Sequence, residues 1–237
     1  MPRPWAEITA DAAALRANRK AGAVADPKTY LAGFAQEAKK TWPNNRRLNI
    51  VFHGHSVPAG YFKTPRVDTF NAYPHLIHLG LNKKYPNAHI NVIVTAIGGE
   101  ASPAGARRFA QDVLPHKPDL LLIDYALNDR GVGLERAEAA WRSMIESALE
   151  QKIDVILLTP TAALRADLDN PRDALNQHAE QIRQLAAEYS VGLVDSLDAF
   201  KKRVAEGAAL KELMSQGAHP NRKGHDLVAD QLLLWFP

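Results

Sequence analysis

Short, almost continuously hydrophobic runs recur along the chain from residue 48 onward. Five of them have the length of β-strands and are rich in Val, Ile and Leu: residues 48–53, 90–96, 120–124, 154–159 and 191–195. A strand covered on both faces lacks the alternation of polar and apolar residues that a half-exposed strand shows. The runs therefore predict five buried, parallel strands.

Segments with helical periodicity separate and follow these runs, at residues 69–85, 103–116, 134–151, 171–189 and 221–235. In the third segment an apolar residue recurs every three or four positions, at Leu134, Ala137, Trp141, Ile145 and Leu149, and this predicts one buried face. The alternation predicts an α/β fold, a three-layer α/β/α flavodoxin-like domain with a five-stranded parallel sheet. A TIM barrel would need eight such units.

Residues 1–45 precede the first strand and predict a helical extension packed on the domain formed by residues 46–237. Thr9 or Asp11 is placed to cap a first helix. A second helix is expected to begin at Asp26 and Pro27 and to continue to Trp42, before a turn.

The composition limits the chemistry. The 237 residues include no cysteine, which excludes a thiol nucleophile, a disulfide framework and a thiolate metal site. Hydrophobic residues make up 46% and charged residues 23% of the chain, as in ordinary soluble globular proteins. Any catalysis therefore depends on His, Ser, Asp, Glu or Lys.

The charge is nearly balanced, because 29 Lys and Arg face 26 Asp and Glu, a net charge of +3. Basic clusters such as Arg46 with Arg47 are short, so we expect no nucleic-acid partner.

No apolar run reaches the roughly 18 residues of a membrane span, so we expect no membrane partner. The first residues carry acidic groups instead of a signal peptide's apolar core, which indicates a cytoplasmic protein, or a secreted or periplasmic one if a leader was trimmed. The oligomeric state stays open.

Small and polar residues follow the predicted strands where parallel sheets bind ligands, beyond the strands' carboxyl ends. Ser56 follows the first strand, Gly99 the second and Asn128 the third. By itself Ser56 is more typical of a helix cap than of a nucleophile. It also lacks the G-x-S-x-G elbow of the α/β-hydrolases, because Pro58 replaces the last glycine.

Four sequence blocks, taken together and in order, resemble the SGNH (GDSL) hydrolase family over about residues 48–235. The blocks are Gly54-His55-Ser56 with Gly60, then Gly99, then Ala126-Leu127-Asn128-Asp129, and finally His219-Pro220-Asn221. The resemblance implies the SGNH hydrolase fold, with Ser56 as nucleophile and His219 as general base. It implies an oxyanion hole formed by the N–H groups of Ser56 and Gly99 and by the Asn128 amide. An esterase of this type needs no cofactor and no metal.

The sequence departs from the family pattern where an acid is expected three residues before the catalytic histidine, since Gln216 stands there. Four interpretations follow. The Gln216 carbonyl oxygen accepts a hydrogen bond from His219 Nδ1 and orients the ring without a charge, or Ser56 and His219 act as a dyad. Alternatively, a carboxylate from elsewhere, such as Glu212, reaches His219, or the chain is catalytically impaired.

The substrate is expected to be polar, because His55, Glu100, Asp129 and Arg130 border the predicted pocket and no long apolar lid is present. His55, Asp129 and Glu100 are candidates for orienting or substrate-contacting roles. The family resemblance covers lipases, thioesterases and carbohydrate deacetylases. We therefore expect a serine esterase that removes a small acyl group, such as acetyl, from a carbohydrate or another polar substrate.

Two alternatives belong to other functional classes. The glutamine in place of the acid is compatible with a catalytically impaired relative that only binds carbohydrate. His53 and His55 form an H-x-H pair at a strand end, which His219 and His225 could join as ligands of a metal-dependent hydrolase.

Overall fold

The computed structural model describes residues 22–237, so the first predicted helix, near Thr9 and Asp11, lies outside the described residues. Five parallel strands form one sheet in the spatial order β2-β1-β3-β4-β5. The strands are β1 (Arg47–Gly54), β2 (His89–Val94), β3 (Leu120–Asp124), β4 (Asp154–Leu158) and β5 (Gly192–Val194). This is the flavodoxin-like strand order, and the predicted fold class is confirmed.

The hydrophobic runs form strands because helices cover both faces of the sheet. Ile50 of β1 lies opposite Val92 of β2 on one side and Leu120 of β3 on the other. Every residue of β3 is buried, whereas the edge strand β2 is partly exposed and ends at the exposed Val94. The central strands are buried on both faces, which explains why their hydrophobic runs lack the alternation of polar and apolar residues.

Helices connect and flank the strands. They are α1 (Ala32–Ala38), α2 (Ser56–Ala59), α3 (Tyr73–Lys84), α4 (Ser102–Asp112), α5 (Ala126–Asp129), α6 (Leu134–Glu150), α7 (Ala174–Glu188), α8 (Ser196–Ala205) and α9 (Arg222–Leu233). The predicted helix 69–85 is divided, since a 3-10 turn, Thr69–Asn71, precedes α3. The predicted helix 171–189 begins later, because the Asp173 side chain caps α7 by accepting from Leu175 N–H.

Two elements near the C-terminus had no prediction in the sequence. Helix α8 follows the very short strand β5 and is capped by Asp195, whose carboxylate accepts from Asp198 N–H at 3.1 Å. A small antiparallel hairpin consists of β6 (Met214–Gln216) and β7 (His219–Pro220). The two strands of the hairpin contain too few residues to show a hydrophobic period.

The N-terminal segment shares the core of the main domain. Tyr30 packs edge-on against Trp235, and Phe34 of α1 packs edge-on against Phe236. The Tyr30 hydroxyl donates to Val155 O at 2.9 Å and accepts from Val155 N–H at 3.0 Å, so it completes the bonding at the start of β4. Within residues 22–237, no helix combines the length and the apolar character that crossing a bilayer requires.

Replacement of Tyr30 by Phe is expected to lower the free energy of unfolding by about 1–3 kcal/mol, because two buried backbone groups of Val155 lose their partner. Urea denaturation measures this change. Tyr189→Phe is the matched control, since the Tyr189 hydroxyl bonds to Glu146 and Arg142 at the surface. That control should change stability by less than about 0.5 kcal/mol. Equal effects of the two substitutions would contradict the role given to Tyr30.

Candidate active site

Ser56 lies at the start of α2, directly beyond the carboxyl end of β1. The chain turns sharply there because β1 and β3 approach closely: a Cβ on Gly54 would lie 2.4 Å from the Asp124 carbonyl oxygen. His55 caps α2, and its Nδ1 accepts from Val57 N–H at 3.1 Å. The Ser56 N–H occupies the first position of this helix, where no intrahelical acceptor exists.

His219 reaches Ser56 from the opposite end of the sequence. Its Nε2 lies 3.0 Å from Ser56 Oγ, a hydrogen-bond distance. The histidine is carried by the β6–β7 hairpin, and Asn221 fixes this hairpin to α9. The Asn221 side chain caps α9 by accepting from Lys223 N–H and donates to Glu212 O at 2.8 Å. The structure thus brings together the two residues that the sequence proposes as nucleophile and base.

The surroundings of His219 favour its neutral form. Burial lowers the pKa of His219, and the nearby His55 lowers it further, while the carbonyl of Phe62 partly offsets these effects. No hydrogen bond of regular geometry reaches Nδ1 from the described residues. Nor does any carboxylate in residues 22–237 form an ion pair with this histidine. A neutral imidazole with a free Nε2 lone pair is the form that accepts a proton.

Gly99 and Asn128 lie in the loops after β2 and β3. Gly99 adopts a left-handed conformation, with φ of +78°, and a Cβ placed on it would meet nothing within 4 Å, so open space lies beside it. Such a backbone suits glycine and admits a close approach by a ligand. The Asn128 amide donates one hydrogen to Glu100 O at 2.9 Å, which holds the side chain in place and leaves its second hydrogen for another acceptor.

Gln216 does not contact His219 in the way that the sequence suggested. Its Oε1 accepts from Thr64 N–H at 2.7 Å, so this oxygen is directed away from Nδ1. Glu212 does not supply the missing carboxylate either, because its side chain is exposed on a 3-10 turn and is not paired with His219. Neither Gln216 nor Glu212 therefore bonds to His219 in place of the motif acid.

Asp129 and Glu100 were also candidates for contact with substrate, and the structure places both carboxylates in contacts with other parts of the protein. Asp129 is completely buried; its carboxylate accepts from Ser102 N–H at 2.7 Å and from Trp141 Nε1 at 2.8 Å. It therefore joins α4 to α6. The Glu100 carboxylate pairs with Arg108, which also bonds to the Thr95 carbonyl.

His55 is buried beneath Ser56 and cannot contact a substrate directly. Its Nε2 lies 3.3 Å from Asp124 Oδ1, and the other oxygen of Asp124 accepts from the Tyr73 hydroxyl at 2.9 Å. The Tyr73 N–H in turn donates to His225 Nδ1 at 3.2 Å. These buried polar contacts join the start of α2 to β3, α3 and α9. The sequence alone gave no sign of them, because the residues involved are far apart along the chain.

The two histidines of the H-x-H pair have separate partners. His53 Nδ1 lies 2.8 Å from Thr95 Oγ1, and its Nε2 lies 3.2 Å from the Tyr125 hydroxyl, whereas His55 faces Asp124. Among residues 22–237, no three His, Asp or Glu side chains are grouped so that they could hold a metal ion. The geometry therefore gives no support to the metal-hydrolase alternative.

Comparison with known families agrees with this geometry. The model of the GDSL-like lipase/acylhydrolase family matches residues 52–227, which include Ser56, Gly99, Asn128 and His219. The chain belongs to this family. It is a carboxylic ester hydrolase with the SGNH fold, as the sequence predicted.

Similar proteins act on carbohydrate esters. An acetylxylan esterase of Geobacillus stearothermophilus is 27% identical over 165 residues, which make up 65% of this chain and 75% of that protein. The crystal structure of an acetylxylan esterase from the same organism matches with a TM-score of 0.70 and 23% identity, over 80% of this chain and 94% of that chain. A two-domain esterase active on acetylated mannans matches with a TM-score of 0.69 and 22% identity, over 87% of this chain and 52% of that chain.

Burial lowers the pKa of His225 to about 4, although the charge of Asp124 acts in the opposite direction. Unfolding restores an ordinary value of about 6.5, so between these values the unfolded chain binds the proton and the folded chain does not. The stability contributed by neutral His225 is thus present above pH 6.5 and is lost as the pH falls towards 4.

Replacing His225 by Asn retains an acceptor for Tyr73 N–H but removes the titration. Urea denaturation at pH 7 and pH 5 should show a loss of stability on acidification that is smaller by about 1–2 kcal/mol in His225→Asn than in the unmodified protein. His75→Asn, at a partly exposed histidine, serves as the control. An unchanged pH dependence in His225→Asn would contradict the buried neutral state.

Proposed function

We propose that this hydrolase removes acetyl groups from a carbohydrate, with Ser56 as nucleophile and His219 as general base. The observation that carries the proposal is the 3.0 Å contact between Ser56 Oγ and His219 Nε2 at the carboxyl edge of the sheet. Nucleophile and base at hydrogen-bond distance are the geometric requirement of serine acyl transfer. The neutral state favoured by burial of His219 gives the base its lone pair.

In the first half of the reaction, Ser56 Oγ attacks the ester carbonyl while its proton moves to His219 Nε2. The protonated imidazole then returns this proton to the leaving sugar oxygen as the C–O bond breaks, and an acetyl group stays on Ser56. The Phe62 carbonyl faces the imidazole and favours its protonated form, which gives partial support during the step in which His219 carries a positive charge.

In the second half, water takes the place of the sugar hydroxyl. His219 accepts a proton from the water, the resulting oxygen nucleophile attacks the acetyl carbon, and Ser56 leaves with the proton from Nε2. Acetic acid is released, loses its proton to the solvent to become acetate, and the enzyme returns to its starting state. Both proton transfers to and from Ser56 pass through His219 Nε2, so the reaction balances without a cofactor.

The negative charge that forms on the carbonyl oxygen needs preorganised donors. The Ser56 N–H at the start of α2, the Gly99 N–H and the second hydrogen of the Asn128 amide are the proposed donors. The Glu100 carbonyl fixes the Asn128 amide, and the Glu100–Arg108 ion pair fixes the loop that carries this carbonyl. Donors that are already in place need no reorganisation when the charge develops.

The choice of an acetylated carbohydrate is supported by the relatives. Their printed activities concern acetylxylan and acetylated mannans. The polar residues around the predicted pocket give less support to a carbohydrate substrate than the sequence suggested, because His55 and Asp129 are buried and Glu100 is paired with Arg108. Arg130 is half-buried and bonded to Leu127 O.

A series of p-nitrophenyl esters and an acetylated xylo-oligosaccharide test the substrate. We expect kcat/KM to be highest for the acetyl ester and to fall with chain length, and we expect acetate release from the oligosaccharide. Ser56→Ala should reduce both activities by about a million-fold, the usual effect of losing a serine nucleophile. Activity that rises with chain length, or that survives in Ser56→Ala, would overturn the proposal.

The pH profile of kcat/KM tests the base. Because His219 acts in its neutral form and burial lowers its pKa, activity should persist below pH 6.5, the ordinary midpoint of a histidine, and fall only on further acidification. Initial rates with an acetyl ester between pH 4.5 and 8 measure this midpoint. A midpoint above 6.5 would show that a nearby anion, and not burial, controls His219.

A further inference from the structure

Gln216 stands where the family pattern has an acid, yet its side chain serves another part of the molecule. Its partner, Thr64, belongs to the segment 61–67, which we call the 61–67 hairpin. This segment folds back on itself through a bridge between Tyr61 and Val67 and a bond of 3.0 Å from Phe62 N–H to the Arg66 carbonyl. Residues 63–67 at its tip are exposed to solvent.

The β6–β7 hairpin, which carries His219, is joined to the 61–67 hairpin at two points. Gln216 Oε1 accepts from Thr64 N–H at 2.7 Å. The neighbouring Ser215 hydroxyl lies 2.8 Å from the Phe62 carbonyl oxygen and 3.0 Å from the carbonyl oxygen of His219. These contacts hold the Phe62 carbonyl close to the imidazole.

Tyr61 extends the connection to the other side of the site. Its ring lies 6.0 Å from the His219 ring, measured between centroids. On its other side it packs so closely on Gly98 that a Cβ there would lie 2.7 Å from the ring. The 61–67 hairpin therefore lies between His219 and the loop of Gly99, in contact with both sides.

We propose that Gln216 is a positioning residue: by accepting from Thr64 N–H it anchors the 61–67 hairpin against His219 and so keeps the imidazole directed at Ser56. Its amide replaces the motif acid in location but acts through the hairpin, without a charge at Nδ1. The effect on catalysis rests on the function proposed above, whereas the anchoring itself does not.

Gln216→Ala removes the acceptor, and Gln216→Glu keeps an oxygen acceptor at the same length. Gln184→Ala, at an exposed glutamine on α7, is the matched control. Since Gln216 is exposed, these changes leave the core intact. Loss of one hydrogen bond should shift the hairpin towards its detached form by about fivefold.

Limited trypsin digestion measures the anchoring without using the reaction, because Lys63 and Arg66 are exposed at the tip. Cleavage after these residues should be about fivefold faster in Gln216→Ala and unchanged in Gln216→Glu and Gln184→Ala. Equal rates in Gln216→Ala and the unmodified protein would overturn the proposal, as would a Gln216→Glu protein cleaved as fast as Gln216→Ala.

The titration of the His219 ring, followed by NMR, measures the consequence for the base. A detached hairpin admits water but also withdraws the Phe62 carbonyl, which favours the protonated ring. Because burial is the larger of these two effects, the pKa of His219 should rise towards its ordinary value in Gln216→Ala. The titratable side chains near this ring, His55 and His225, are the same in both proteins. kcat for the acetyl ester should fall several-fold with little change in KM, and Gln216→Glu should restore it. An unshifted titration overturns the positioning role. An unmodified protein that shows the anchoring but has no esterase activity contradicts the proposed function alone.

Discussion

The close approach of β1 and β3 at Gly54 determines the position of Ser56, the proposed nucleophile. With only a hydrogen atom on Gly54, β1 can pass beside the Asp124 carbonyl, where any Cβ would lie 2.4 Å from that oxygen. The chain then turns directly into α2, which places Ser56 above the sheet edge. Because the hairpin of His219 contacts α2 from the other side, a displacement of this turn would separate nucleophile and base.

Beneath the nucleophile the protein buries polar groups instead of a fully apolar layer. Tyr73 bonds to both Asp124 and His225, and His55 Nε2 lies 3.3 Å from Asp124 Oδ1 without a hydrogen bond of regular geometry. Buried polar groups of this kind are stable only when their partners remain in place. Asp129 has an equivalent role on the other side of the site, between α4 and α6. These groups hold the helices that surround the catalytic edge, so their importance to the reaction is indirect.

The sequence predicted the sheet and its order of elements because buried parallel strands give continuous hydrophobic runs. It also selected Ser56 and His219 as a candidate pair from the motif blocks, and the fold brings the two side chains to 3.0 Å although His219 lies on a hairpin outside the five-stranded sheet. It was wrong about Asp129, since the two donors that satisfy this carboxylate belong to other elements. The sequence could not predict the role of Gln216 either, because Thr64 lies 152 residues away and contributes only a backbone N–H.

We propose that Ser56 and His219 perform acyl transfer although no carboxylate bonds to the histidine within the described residues. Reaction with a fluorophosphonate at pH 8, followed by mass spectrometry of the digested protein, tests this pair. We expect a single adduct on the peptide that contains Ser56, formed in the unmodified protein and lost in His219→Ala. No adduct at Ser56, or an adduct that forms equally well without His219, would show that the two residues do not act together.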